Sequence, residues 1–278
     1  MYAVRECRDR NGLTGPRPLD ASAKPGSYRP MASPTPTAGG RITGARLTDF
    51  DWTDADLTDA SFDDCLIEDA QLSNTVLNGA RFKNCRIVRC RAAHADLREA
   101  TFEDCGFADA ETHTGLTVAF SELEQARFVN CDLTLSHFDR SGLHAITFSD
   151  CNLRGARFHR ADFSRSFGRN IVRTLATFHD CNLELAEMAE ARLPGCDLSH
   201  SNLREADLCG ADLEGADLRQ CDLFGTLLAG AKLAGADLRG AEVSGLDLTA
   251  LATRAGIKVT ADQQYRLLTA LGVDVHLE

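Results

Sequence analysis

Between Ala206 and Gly240 the chain reads Ala-Asp-Leu-Cys-Gly, Ala-Asp-Leu-Glu-Gly, Ala-Asp-Leu-Arg-Gln, Cys-Asp-Leu-Phe-Gly, Thr-Leu-Leu-Ala-Gly, Ala-Lys-Leu-Ala-Gly, Ala-Asp-Leu-Arg-Gly. One large apolar residue, the centre, recurs every five positions, with a small residue two places before it. From Phe178 to Leu248 fifteen consecutive centres are all apolar, and the residue two before is Ala, Cys, Ser or Thr at every unit except Leu246. A five-residue period is neither the 3.6-residue stripe of a helix nor the two-residue alternation of a strand, so ordinary elements of both kinds are excluded as the main architecture.

A unit with one small and one large inward residue suits a chain that turns a corner every five residues and closes a square after four. That predicts a second period of twenty, and the sequence has it: Phe62, Phe82 and Phe102 are twenty apart, as are Phe138, Phe158 and Phe178, and as are Cys65, Cys85 and Cys105. Like residues are then expected to stack in ladders between adjacent coils. With ~4.8 Å per coil, residues 45–250 give about ten coils and a rod ~48 Å long. Low aromatic content, 6% of 278 residues, fits an interior filled by ladders rather than by an ordinary large core.

These residues resemble the pentapeptide-repeat family, whose consensus is Ala-(Asp/Asn)-Leu-x-x. The resemblance implies an all-β solenoid, a right-handed quadrilateral β-helix. It covers residues 45–250, leaving 1–44 as a Pro/Gly/Ser-rich leader expected to be disordered and 251–278 as a C-terminal cap and tail. Six of the seven prolines lie in the leader, with no apolar period to order it. Met31 is a candidate alternative start, and the intact mass of the native protein decides between the two.

The phase of the repeat changes once and weakens once. Centres from Leu47 to Thr112 share one phase and those from Val118 to Leu248 are displaced by a single residue, which reads as one residue inserted near His113, Thr114, Gly115 and Leu116. Around 166–175 the phase holds, but the centres would be Gly168 and Arg173, neither a core residue, so Phe167, Gly168, Arg169 and Asn170 belong to a candidate outward loop. After Leu248 the repeat is expected to stop. Thr260-Ala-Asp-Gln263 reads as a capping box opening a helix to about Ala270, with Gly272 as its stop and a short strand at 273–277 beyond. Such a helix covers the last coil of a solenoid.

Nine of the eleven cysteines occupy the small inward position, and none forms the paired spacing of a zinc site, so they read as packing residues and no metal or cofactor is assigned. Only Cys7, in the leader, and outward Cys209 are expected to react readily. Asp139, His159 and His179 each follow a centre and are twenty apart, a candidate metal-binding column whose simpler reading is solvated side chains. No Gly-rich phosphate loop and no nucleophile with an evident base stands out, which argues against an enzyme.

Charge narrows the partners. The net charge is -11, and residues 45–250 hold 35 acidic against 20 basic side chains. Direct nucleic-acid binding and adhesion to anionic membranes are disfavoured. No segment has the ~18 apolar residues of a membrane span or a signal-peptide core, so a cytoplasmic location is expected. The acids are banded, nine of them with no base between Asp49 and Asp69, while 81–98 and 140–173 are rich in arginine. The tail, Gln-Tyr-Arg-Leu-Leu-Thr-Ala-Leu-Gly-Val, resembles the dimerising C-terminus of Qnr-like and mycobacterial fluoroquinolone-resistance members. That resemblance implies a homodimer through Tyr265, Leu267, Leu268 and Leu271. It also implies a DNA-mimicking surface offered to DNA gyrase or topoisomerase IV, with the two loops touching the enzyme. The alternative is an interaction scaffold for an unrelated protein.

Overall fold

The computed structural model describes residues 35–166 and 172–274. Within them the chain winds into a four-sided parallel β-solenoid. Each side of a coil is a strand of three or four residues or a single bridge, and each pairs with the same side of the coils before and after it. The first face contains the longest sheet: Arg41–Thr43, Ser61–Asp63, Arg81–Lys83, Thr101–Glu103, Arg127–Val129, Ile146–Ser149 and Ala176–His179, all parallel and in register. Bridges through Asp197, Asp217 and Asp237 carry it to a tenth coil.

Corners explain the composition of the unit. The residue two after a centre takes a left-handed backbone, as at Asp54 (φ 57°), Asn84 (φ 50°) and Gly215 (φ 68°). At Trp52–Ala55 the Ala55 N–H closes a turn onto the Trp52 carbonyl at 3.2 Å with Asp54 third, the pattern of a type II turn. Gly, Asn and Asp tolerate that conformation best, which is why they recur there.

The core is a stack of ladders. Phe62, Phe82, Phe102, Phe128, Phe148 and Phe178 form one continuous column, with successive ring centroids 4.7, 4.8, 4.6, 5.1 and 5.1 Å apart and planes within 18° of parallel. Phe62, Phe82 and Phe102 thus stack as their spacing predicts. Phe178 does not: it lies over Phe148 and meets Phe158 edge-on, at 88°. The nine inward cysteines are all buried. Cys85, typical of them, directs its thiol to the carbonyls of Phe62 and Lys83, each at 3.3 Å.

The ends differ from expectation. The ladder begins before Ala45, because Arg41–Thr43 already pairs with Ser61–Asp63. It also continues past Leu248: Lys232 bridges Thr253 and Asp237 bridges Lys258, a register of twenty-one that accommodates one extra residue. Leu246 breaks the small-residue pattern because it is itself buried, at 4% exposure, while Leu248 is only half-buried. The helix Ala261–Ala270 follows, with the Thr260–Gln263 capping box in place. Val273 and Asp274 form no strand, and 275–278 lie outside the described residues, as do leader residues 1–34 with Cys7.

Candidate functional site

Two excursions leave the rod, and the ladder registers measure both. Phe102 pairs with Phe128 and Ala92 with Val118, a step of twenty-six, so six residues are looped out between the second and third faces. The single inserted residue expected here is corrected: six exceeds one unit by one, and a phase shift records only the remainder. Thr112, taken as a centre, is exposed on the loop. Farther on, Phe148 pairs with Phe178 and Asn152 with Asn182, a step of thirty, so ten residues are looped out between the fourth and first faces. Ten is two whole units, which is why the phase survives. The excursion starts as a hairpin, Ser164–Ser166 antiparallel to Val172–Thr174. Arg165, at its base, pairs with Glu124. Phe167, Gly168, Arg169 and Asn170 lie outside the described residues.

The first loop is riveted to the coil beneath it. Asp109, 3% exposed, accepts from Arg89 Nη1 (2.9 Å), the Glu111 N–H (3.2 Å) and Thr112 Oγ1 (3.0 Å). Arg89 also donates to Asp69 through Nε at 2.8 Å and Nη2 at 3.0 Å. Its guanidinium holds the Asp109 carboxyl below the ordinary value of 3.8, helped by the Glu111 N–H. The Asp109 N–H and Thr114 carbonyl close the loop at 2.8 Å. His113 and Thr114 are exposed, but Gly115 and Leu116 are buried and offer a partner no surface. Gly115 runs against the next coil so closely that a Cβ there would stand 2.4 Å from the Thr134 carbonyl oxygen and 2.6 Å from the Ser136 nitrogen. We expect Gly115→Ala to cost about 1–3 kcal/mol through this overpacking. Gly106→Ala, where a Cβ meets nothing within 4 Å, should cost far less; equal denaturation midpoints for the two variants would contradict the close approach.

The candidate metal column does not form. His159 Nδ1 and Asp139 Oδ1 are 2.8 Å apart, as stacking requires. His179, however, pairs with Ser149 on the first face, because the ten-residue loop intervenes and carries it past His159. It contacts Ser199 (2.9 Å) and Asp180 (2.8 Å) instead. Among the described residues no group of three or more His, Cys, Asp or Glu side chains is arranged to hold a metal ion. Cys209 is half-buried rather than fully outward, and burial raises its thiol pKa.

The four faces carry different charge. The fourth presents Asp56, Asp59, Asp96, Glu99, Glu122, Glu124 and Asp162 along its first six coils, relieved by Arg98, bound to Asp96 at 2.5 Å, and by Arg165. Most arginines of the sequence bands face elsewhere. At the C-terminal end, Gln263 is 2% exposed and donates to the carbonyls of Leu238 (2.7 Å) and Ala241 (2.8 Å), docking the helix on the last coil together with Leu267, 8% exposed. Sequence reading assigned Gln263 to the capping box only; its spare amide donors were the signal for this second role. Leu267 therefore belongs to the cap rather than to an open surface, and Leu268 is half-buried. Tyr265, Leu271 and Val273 remain outside, 50%, 44% and 45% exposed. No helix among the described residues is long and apolar enough to cross a membrane.

Solved structures similar to this chain include two trypsin-treated variants of QnrB1, described as a plasmid-mediated fluoroquinolone resistance protein. Both are 25% identical over 76% of this chain and 98% or 97% of theirs, with TM-scores of 0.71 and 0.68. Full-length QnrB1 is 24% identical over 75% of this chain and 97% of its own, with a TM-score of 0.63. No curated protein matches the chain significantly. The family model "Pentapeptide repeats" matches in eight copies, over 65–104, 120–155, 143–167, 186–225 and 216–250. Those segments span more than half of the sequence and coincide with the coils that build the ladders, so the chain belongs to the pentapeptide-repeat family.

Proposed function

We propose that this protein is a non-enzymatic, DNA-mimicking binder of type II topoisomerase, DNA gyrase or topoisomerase IV, that modulates the enzyme or protects it from a poison. The observation that carries the reading is the likeness to QnrB1 over nearly the whole length of that resistance protein. The acidic fourth face supports it. Its carboxylates repeat on ~4.8 Å rungs, half-neutralised at most, and a positively charged DNA channel attracts such an array. The exposed part of the first loop, His113 and Thr114, and the second loop are the surfaces we assign to the enzyme. Tyr265 and Leu271, with the half-buried Leu268, are the dimer contact, joining two rods through their capped ends. The site of action is then the cytoplasm.

A gyrase supercoiling assay with and without a fluoroquinolone tests this. We expect the protein to inhibit supercoiling or to restore it in the presence of the drug, and the effect to weaken with rising salt, because acidic mimicry is screened. Neither inhibition nor protection, with no gyrase captured at low salt, rejects the reading. Binding that survives high salt favours a docking scaffold instead.

A further inference from the structure

Four arginines of this acidic rod gather on one face with little acid between them. On coils three to six of the third face, Arg91, Arg140, Arg157 and Arg160 point outward against a single acid, Asp139. They are scattered in sequence, but the register aligns them. Arg91 pairs with Thr117, Thr117 with His137 and His137 with Arg157, one column of rungs. The corner residues His94, Phe120, Arg140 and Arg160 form a second column beside it.

The second column is preorganised. Phe120 is 46% exposed, with the His94 ring 5.3 Å away and nearly parallel and the Arg140 guanidinium 5.4 Å from its centroid. That cation–π contact orients Arg140 without neutralising it. Arg157 pairs with Glu187 at 3.0 Å, but Arg91, Arg140 and Arg160 make no ion pair among the described residues. On the opposite first face Arg219 and Arg239 differ, each sitting on an aspartate, at 2.5 and 2.6 Å.

We infer that this strip is a docking surface for an acidic peptide segment of a protein partner. It stands apart from the topoisomerase reading, since it uses the cationic face and not the acidic one. Length chooses between anions. Four coils span ~19 Å, and the strip is bounded by Asp51 and Asp54 at one end and Glu187 and Glu190 at the other. A duplex lying along the rod carries a charge every ~1.7 Å and overruns those acids in both directions. The repulsion acts well within the ~8 Å screening length. An extended peptide of about six residues, at ~3.3 Å each, ends before reaching them. Guanidinium groups take carboxylates in paired hydrogen bonds, so unpaired arginines suit glutamate and aspartate side chains.

The test is fluorescence anisotropy of a labelled peptide containing six consecutive glutamates, titrated with the full chain at low salt. We expect saturable binding that weakens with salt and is absent for the six-glutamine peptide. The Arg140→Ala, Arg160→Ala double variant should lose affinity about fivefold or more, as two exposed ion pairs imply, while Arg219→Ala on the first face changes it less than about twofold. Equal binding of the glutamine peptide, unaltered affinity of the double variant, or tighter binding of a short DNA duplex than of the peptide would each overturn the assignment, the last in favour of nucleic acid crossing the strip.

Discussion

Replacing Phe128 with alanine is expected to lower the free energy of unfolding by about 3–5 kcal/mol, the range for emptying a fully buried aromatic site. Phe128 has 0% exposure and sits in the middle of the six-ring column, 4.6 Å from Phe102 and 5.1 Å from Phe148. Phe107 and Phe138 meet it edge-on at 6.0 and 6.5 Å. Its neighbours are held in register by backbone ladders on all four faces and cannot collapse into the void, so the cavity term adds to the lost transfer energy. In a solenoid each coil touches only the coils on either side, and stability is close to a sum of unit and interface terms. The damage therefore falls on the two interfaces that this coil makes with its neighbours. Denaturation of the variant should be broader than that of the parent, or split into two steps, as the coils on either side of the defect unfold separately. Phe120→Ala, on the exposed third face, is the comparison and should lie within about 0.5 kcal/mol of the parent. If the two substitutions cost the same, the stacked column is not what holds the middle of the rod.

The column containing Phe128 shows how far the sequence could be read. Phe62, Phe82 and Phe102 are twenty apart with no interruption between them, and their stacking follows from the period alone. The column then continues through Phe128, Phe148 and Phe178, spaced by twenty-six, twenty and thirty. Periodicity had paired Phe178 with Phe158 instead, because a ten-residue loop changes nothing in a five-residue phase. The same error placed His179 above His159 and suggested a metal column that the fold disperses. The six-residue loop was seen, but as one residue. Phase reports an insertion modulo five, whereas pairing register reports its full length, and only hydrogen-bonded partners distinguish the two. The surface was legible to a lesser degree still. Bands of acid and arginine were visible in the sequence, but which face each band occupies depends on the number of residues looped out before it.

That arithmetic yields the second large effect. Removing residues 166–175 joins Arg165 to Ala176, which sets Phe163 and Phe178 five apart with Ala176 in the small inward position. Every later coil then stays in phase, and we expect the thermal midpoint to change by no more than a few degrees. Removing one residue more, 165–175, leaves these centres four apart and deletes Arg165, the residue that would take the corner in the shortened chain. A side of the square cannot be spanned by a chain one residue short, since the strand is already extended at ~3.3 Å per residue. The coils before and after the cut must then lose their contact or slip out of register, exposing the inward row on one side. We expect the midpoint to fall by about 10 °C or more, equivalent to several kcal/mol in a chain of this size. Removing one residue fewer, 166–174, leaves a surplus residue that bulges out, as happens between Asp237 and Lys258, and its cost should be intermediate. The ranking of ten, then nine, then eleven is what a four-cornered coil demands; a smooth dependence on the number removed would show that the second loop is a flexible linker between two independently packed halves. Because the ten-residue deletion leaves the acidic fourth face intact, repeating the supercoiling assay with that variant separates the contribution of the loop from that of the charged surface.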